Sequence, residues 1–363
     1  METRLDWIDT VRGVATFFVV LCHSIDNIYF TQNTDIANSS IFLQLFIFTF
    51  FTLGRLGVPL FLFISGYLLL QRKYNNKKCF RFWKHNLLPL FILTEVWLFI
   101  YQLFSAWFWK TNFQWVTLFK TMIFLRPSDM IHMWYLPMIL GMYISLPFVS
   151  VILKRFHWKI WIIPLAIVAA YSFGTPTINL ILNAFGHTTV SNGIDLSFLG
   201  GIYGTYLIFG YMVYKESSVN LIKKYSLKKY FLLAAGVFFI ITVLTQIYLT
   251  RIGHFYTAWY DFIPLALTAA FLFMSFKNCC LPGKLTCIFH RLAKYSFGIF
   301  LVHNPIMVMI ARYIPLYGLS IYSKIIVSLL LTFAISWGFV ELVSKIPKVE
   351  KLFFSSNKLS KYI

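Results

Sequence analysis

The sequence predicts an all-α protein, a polytopic transmembrane helical bundle of about ten spans with both termini cytoplasmic. Three observations predict it. Hydrophobic residues make up 59% of the chain and charged residues 12%, about half the charged share of a soluble domain, and the mean hydropathy is +0.73. The apolar residues fall into runs of about 20, the length that crosses a bilayer core as a helix. The Lys and Arg gather in the short segments between those runs, on one side more than the other. Forty Phe, 21 Tyr and 11 Trp suit lipid-facing walls and aromatic belts.

On that ruler the spans fall near residues 10–30, 44–70, 87–108, 134–152, 159–173, 196–214, 231–250, 259–276, 295–313 and 323–343. The fifth is short. The apolar piece from Trp115 to Leu125 is too short to cross, so it is expected to lie in the interface or re-enter. With the amino terminus inside, 25 of the 32 Lys and Arg lie in inner segments or at inner span ends, six in outer segments or at outer span ends, and Arg55 alone deep within a span. That imbalance sets the orientation by the positive-inside rule.

The outer segments near Asn27–Ser40, Lys110–Met133 and Phe173–Asp195 are polar and modest, long enough to line a mouth and too short to fold alone. The chain therefore reads as one integral-membrane domain over 1–363. No cleavable signal is expected, because the first apolar run is long, lacks a small-residue cleavage site and is followed by many others.

A formal net charge of +20 invites a nucleic-acid partner, but membrane topology alone puts basic residues in these loops. A cationic inner face would also help hold an anionic, phosphate-bearing cofactor. The five cysteines (Cys22, Cys79, Cys279, Cys280 and Cys287) lie in spans or inner loops and give no disulfide framework. Cys279, Cys280 and Cys287 resemble no zinc spacing that comes with histidine partners, so no metal site is expected.

The first span carries Asp9, Arg12, His23 and Asp26. Eleven residues make about three helical turns, so Arg12 and His23 share a face about 16 Å apart along the axis. Asp9 lies one turn below Arg12 and Asp26 one turn above His23. Ionisable groups within a span are costly and mark a functional site by default; an ordinary anchor with interfacial charges is the plain alternative. The second span reads GRLGVPLFLFISGYLLL, and its Arg55 reaches about the depth of His23, near or beyond the bilayer centre. Gly57, Pro59 and Gly66 let its backbone bend or approach a neighbour. Arg55 is alternatively a structural charge pairing with Asp26 or Glu95. HMWYLP opens the fourth span with His132, Trp134 and Tyr135, where an aromatic belt is the simpler reading. SFGIFLVHNPI sets His303 at mid-depth in the ninth span, before Pro305, which is expected to loosen the helix. A helix-helix hydrogen bond is the alternative role for that histidine.

Four segments, IDTVRGVATFFVVLCHS, GRLGVPLFLFISGYLL, HMWYL and SFGIFLVHNPI, resemble in this order the motifs of the membrane-bound acyltransferase-3 family, over nearly the whole chain. The likeness extends to its branch of bacterial surface-polysaccharide and enterobacterial-common-antigen O-acetyltransferases. A similar branch is the membrane domain of vancomycin-resistance serine racemases. By this resemblance His23 is the essential histidine, Arg12 its partner and Asp9 the acidic position before it, forming the catalytic set. Arg55, Ser65, His132, Trp134 and His303 match the later motifs, and Asp26 and Tyr135 join them as candidate binding residues. The family's arginine cluster before a proline is RFWKHNLLP here. Arg81 and Lys84 stand in its place, with Arg72 and Lys73 as further candidates for the donor's phosphates.

The activity so implied is transfer of an acyl group, acetyl first, from cytoplasmic acyl-CoA to a glycan hydroxyl. Acetyl-CoA is the expected donor substrate. The acceptor is an extracytoplasmic cell-surface glycan or its lipid-linked precursor, and the setting a bacterial cytoplasmic (inner) membrane, with glycan-synthesis proteins as further candidate partners. A neutral His23 would act as general base or accept the acyl group itself. The rival use of the same cavity is transport, of serine or another small solute, or export of a glycan, without acyl transfer.

Overall fold

A bilayer offers no water to backbone N–H and C=O groups, so long apolar runs fold as helices that satisfy those groups internally. In the computed structural model this holds along the whole described chain, residues 5–30, 36–191, 200–217, 227–277, 279 and 281–354, among which there is no strand. The helices are α1 (Asp6–Ile25), α2 (Ile41–Arg55), α3 (Gly57–Leu69), α4 (Asn76–Phe82), α5 (Leu88–Trp109), α6 (Trp115–Met122) and α7 (Tyr135–Arg155). They continue with α8 (Trp158–Ala169), α9 (Thr175–Ala184), α10 (Gly201–Ser217), α11 (Lys228–Arg251), α12 (Ile263–Phe276), α13 (Gly283–Tyr313), α14 (Ile321–Val343) and α15 (Pro347–Phe353).

Among the described residues, eight helical stretches are long and apolar enough to cross a membrane. The two other predicted spans fall on α10 and α12, of 17 and 14 residues; residues 196–199 of the sixth lie outside the described residues. The fifth span is longer than its sequence suggests. A wide turn over Ala170–Gly174 joins α8 to α9, so the helical stretch runs from Trp158 to Ala184. Pro176 lies in the first turn of α9, where its missing N–H is not needed. The expected outer segment after Phe173 is thus helical to Ala184, and its end at 192–195 lies outside the described residues. The apolar piece after Asn112 folds as the eight-residue α6, with Trp115, Val116 and Phe119 exposed.

The second span breaks at Leu56, between α2 and α3. Pro59 carries no N–H for the Arg55 carbonyl four residues back, which disfavours one continuous helix there. Pro305, by contrast, does not interrupt α13, which runs from Gly283 to Tyr313. The core forms around α1, which packs against α2, α3, α13 and α14 and is the most buried of the eight stretches. Its hydroxyls turn inward without cost. Thr10 donates to the Asp6 carbonyl, Thr16 to Arg12 and Ser24 to Val20. Cys22, Cys79, Cys279 and Cys287 are free thiols, and Cys280 lies outside the described residues.

Candidate functional site

The polar residues of α1 gather at two poles. At the pole predicted to be inner, Arg12 Nη1 lies 3.8 Å from Asp9 Oδ1, and both side chains are buried. His290 of α13 reaches the same cluster, its Nε2 2.9 Å from Asp6 Oδ1 and 3.7 Å from Asp9 Oδ2. Arg12 and Arg72 both act electrostatically on the Tyr143 hydroxyl of α7.

At the other pole His23 meets two further imidazoles. Its ring centroid lies 5.3 Å from that of His303 on α13 and 6.1 Å from that of His132, which precedes α7; His132 and His303 are 4.9 Å apart. The three motifs that carry them converge on one point. His132 and His303 are buried, whereas His23 borders open space. Tyr101 of α5 supports the group, with its hydroxyl 3.0 Å from His132 Nε2 and donating to the Leu301 carbonyl.

Arg55 stands beside this cluster because two glycines let its helix ends touch α1. Cβ atoms on Gly54 and Gly57 would meet the backbone of Cys22 and Ala15 at 2.6 and 2.8 Å. The guanidinium carbon of Arg55 lies 4.4 Å from the Trp259 ring centroid, 4.6 Å from Phe51 and 5.6 Å from Tyr260, a cationic sandwich between aromatic faces. Of the two acids considered for it, Asp26 acts on it. Trp134 stacks near Tyr203, Trp259 and Tyr260, with centroids 5.5–6.0 Å away. Tyr135 packs on Phe300, and its buried hydroxyl has no hydrogen-bond partner among the described residues.

His23 and Asp26 lie on the wall common to two cavities. The larger, of about 640 Å³, extends toward the end predicted to be outer, between α5 and α13, where Gln102, Ser105, Asn304 and Arg312 line it. The smaller, of about 60 Å³, holds His132, Arg55, Trp134 and Tyr135. A third, of about 20 Å³ and mostly apolar, shares Val19, Val58, Tyr135 and Phe300 with the second and adds Ser296 on the inner side. The space around His23 is thus wide outward and narrow inward.

The structure brings His23, Asp26, Arg55, His132, Trp134, Tyr135 and His303 together. It sets Asp9 and Arg12 at the inner pole, and Ser65 fully buried within α3. Arg72, Lys73, Arg81 and Lys84 line none of these three cavities; Lys73, Arg81 and Lys84 are exposed near the inner end. Tyr101, Gln102, Trp259 and Tyr260 escape sequence reasoning because no motif carries them. Asn304 is the exception, since it directly follows His303 in HNP. No group of His, Cys, Asp and Glu among the described residues has the geometry of a metal site.

A family model described as an acyltransferase domain matches residues 5–341. No curated protein and no solved structure matches the chain.

Proposed function

The chain belongs to this acyltransferase family, and from that premise we propose that it moves an acyl group, acetyl first, from cytoplasmic acyl-CoA to a hydroxyl of a cell-surface glycan or its lipid-linked precursor. The setting proposed is a bacterial cytoplasmic membrane. The observation that carries this reading is the position of His23, on the wall shared by the large outer cavity and the small inner one.

The large cavity offers amides, hydroxyls and aromatic faces, a lining that suits a sugar. The small one offers donors for a carbonyl oxygen, the Arg55 guanidinium and the Tyr135 hydroxyl, which would stabilise an oxyanion formed there. His23 takes the proton from the acceptor hydroxyl as its oxygen attacks the thioester carbonyl. The C–S bond then breaks, the thiolate recovers that proton, and the imidazole ends neutral. Arg12, with Arg72, Lys73, Arg81 and Lys84 at the inner end, supplies positive charge for the donor's phosphates.

Purified protein in vesicles, given radiolabelled acetyl-CoA and an oligosaccharide acceptor, tests this. Label passes to the glycan with the wild type and not with His23→Ala. One observation favours the carrier reading as a second: the helix break at Leu56 beside Arg55 is a device transporters also use. Solute uptake into the same vesicles without any donor, and without label transfer, would decide for transport.

A further inference from the structure

Pro305 lies within α13 and has no N–H, so the carbonyl of Leu301, four residues earlier, lacks its helical donor. The Tyr101 hydroxyl fills that vacancy by donating to Leu301. A carbonyl only accepts, and a tyrosine hydroxyl has one proton to give. The contact between Tyr101 and His132 Nε2, at 3.0 Å, therefore runs the other way. Nε2 carries the proton and Nδ1 is bare.

That bare Nδ1 is buried and has no partner among the described residues. His303 is fixed by the same logic. Its Nδ1 lies 2.7 Å from the Phe300 carbonyl and 3.2 Å from that of Ile299, so it holds the proton there, and its buried Nε2 is likewise without a partner among the described residues. Buried polar atoms find partners, and neither nitrogen has one among the described residues. Both rings stand beside His23, which lines both the large cavity and the small one, and His132 itself lines the small one.

We infer that Tyr101, with Pro305, is a positioning residue: it locks His132 in the tautomer whose Nδ1 accepts a hydrogen bond from a second hydroxyl of the acceptor sugar, next to the reacting one. The inference rests on reading His23 as the base. It narrows the acceptor class to sugars with a hydroxyl next to the reacting one, held by His132 Nδ1 while His23 takes the reacting proton.

Nitrogen-15 NMR of histidine-labelled protein in bilayers reads the tautomer without any acyl transfer. His132 gives an Nε2–H signal and a bare Nδ1 in the wild type, and a mixture of tautomers in Tyr101→Phe. Kinetically, Tyr101→Phe lowers kcat for sugar transfer about a hundredfold, while slow hydrolysis of acetyl-CoA, in which water is the acceptor, holds its rate. In a His132→Asn background the Tyr101 change has no further effect on transfer, because the two act as one unit. Should Tyr101→Phe fold poorly, Pro305→Ala gives Leu301 its helical donor back and produces the same tautomer mixture. A proton on Nδ1 of His132 in the wild type, an unchanged tautomer in both variants, or equal losses in transfer and hydrolysis overturns the inference. If His23→Ala still acylates sugar, the functional reading fails while the tautomer result stands.

Discussion

Gly54 lies so close to Cys22 that a Cβ on the glycine would sit 2.6 Å from the Cys22 amide nitrogen. The residues that follow each of them are Arg55 and His23. A backbone-to-backbone contact between α2 and α1 therefore sets the register of the guanidinium against the imidazole. Gly54→Ala forces the two helices apart, and overpacking of this kind costs about 1–3 kcal/mol. A lower unfolding midpoint in detergent, with transfer reduced even in the protein that stays folded, is the expected result.

Arg55 is held between the faces of Phe51 and Trp259. Lysine keeps the charge and loses the flat surface that stacks and the fixed fork of donors. Arg55→Lys is expected to lower kcat/KM at least tenfold in steady-state assays while leaving the yield of folded protein unchanged.

At the inner pole, Asp9 faces a buried guanidinium, whereas His290 is partly exposed. Removing one partner of a buried ion pair costs about 3–5 kcal/mol, and an exposed pair is worth about 1 kcal/mol or less. Asp9→Ala is therefore expected to destabilise the chain several times more than His290→Ala, as measured by thermal unfolding in the same detergent.

Gln102 and Asn304 both line the large cavity. Replacing either with leucine removes hydrogen bonds available to an acceptor and leaves the small inner cavity intact. The KM for the glycan is expected to rise about tenfold, for a loss near 1.4 kcal/mol, while the KM for acetyl-CoA stays constant.

Much of this site was legible in the sequence because helical period and span depth are simple rulers. Eleven residues from Arg12 to His23 fix a face, and similar distances from the inner ends bring His23 and Arg55 to one level. What the rulers miss depends on packing between distant segments. Tyr101 matters through Leu301, 200 residues away, and nothing near Tyr101 announces it. Trp259 and Tyr260 read as the start of a span. They belong instead to a loop tethered by Gln246, whose Oε1 accepts from the Ala258 N–H at 2.8 Å, so the rings fold over Arg55. The fifth span reads as ending at residue 173, yet Pro176 falls in the first turn of a helix, where proline is well tolerated, and the chain stays helical to Ala184.

The most direct test of His23 as the group where donor and acceptor meet uses right-side-out membrane vesicles, with radiolabelled acetyl-CoA sealed inside and glycan acceptor outside. Label reaches the external glycan in vesicles carrying the wild type, and not in those carrying equal amounts of folded His23→Ala. Transfer by His23→Ala at the wild-type rate would contradict the account.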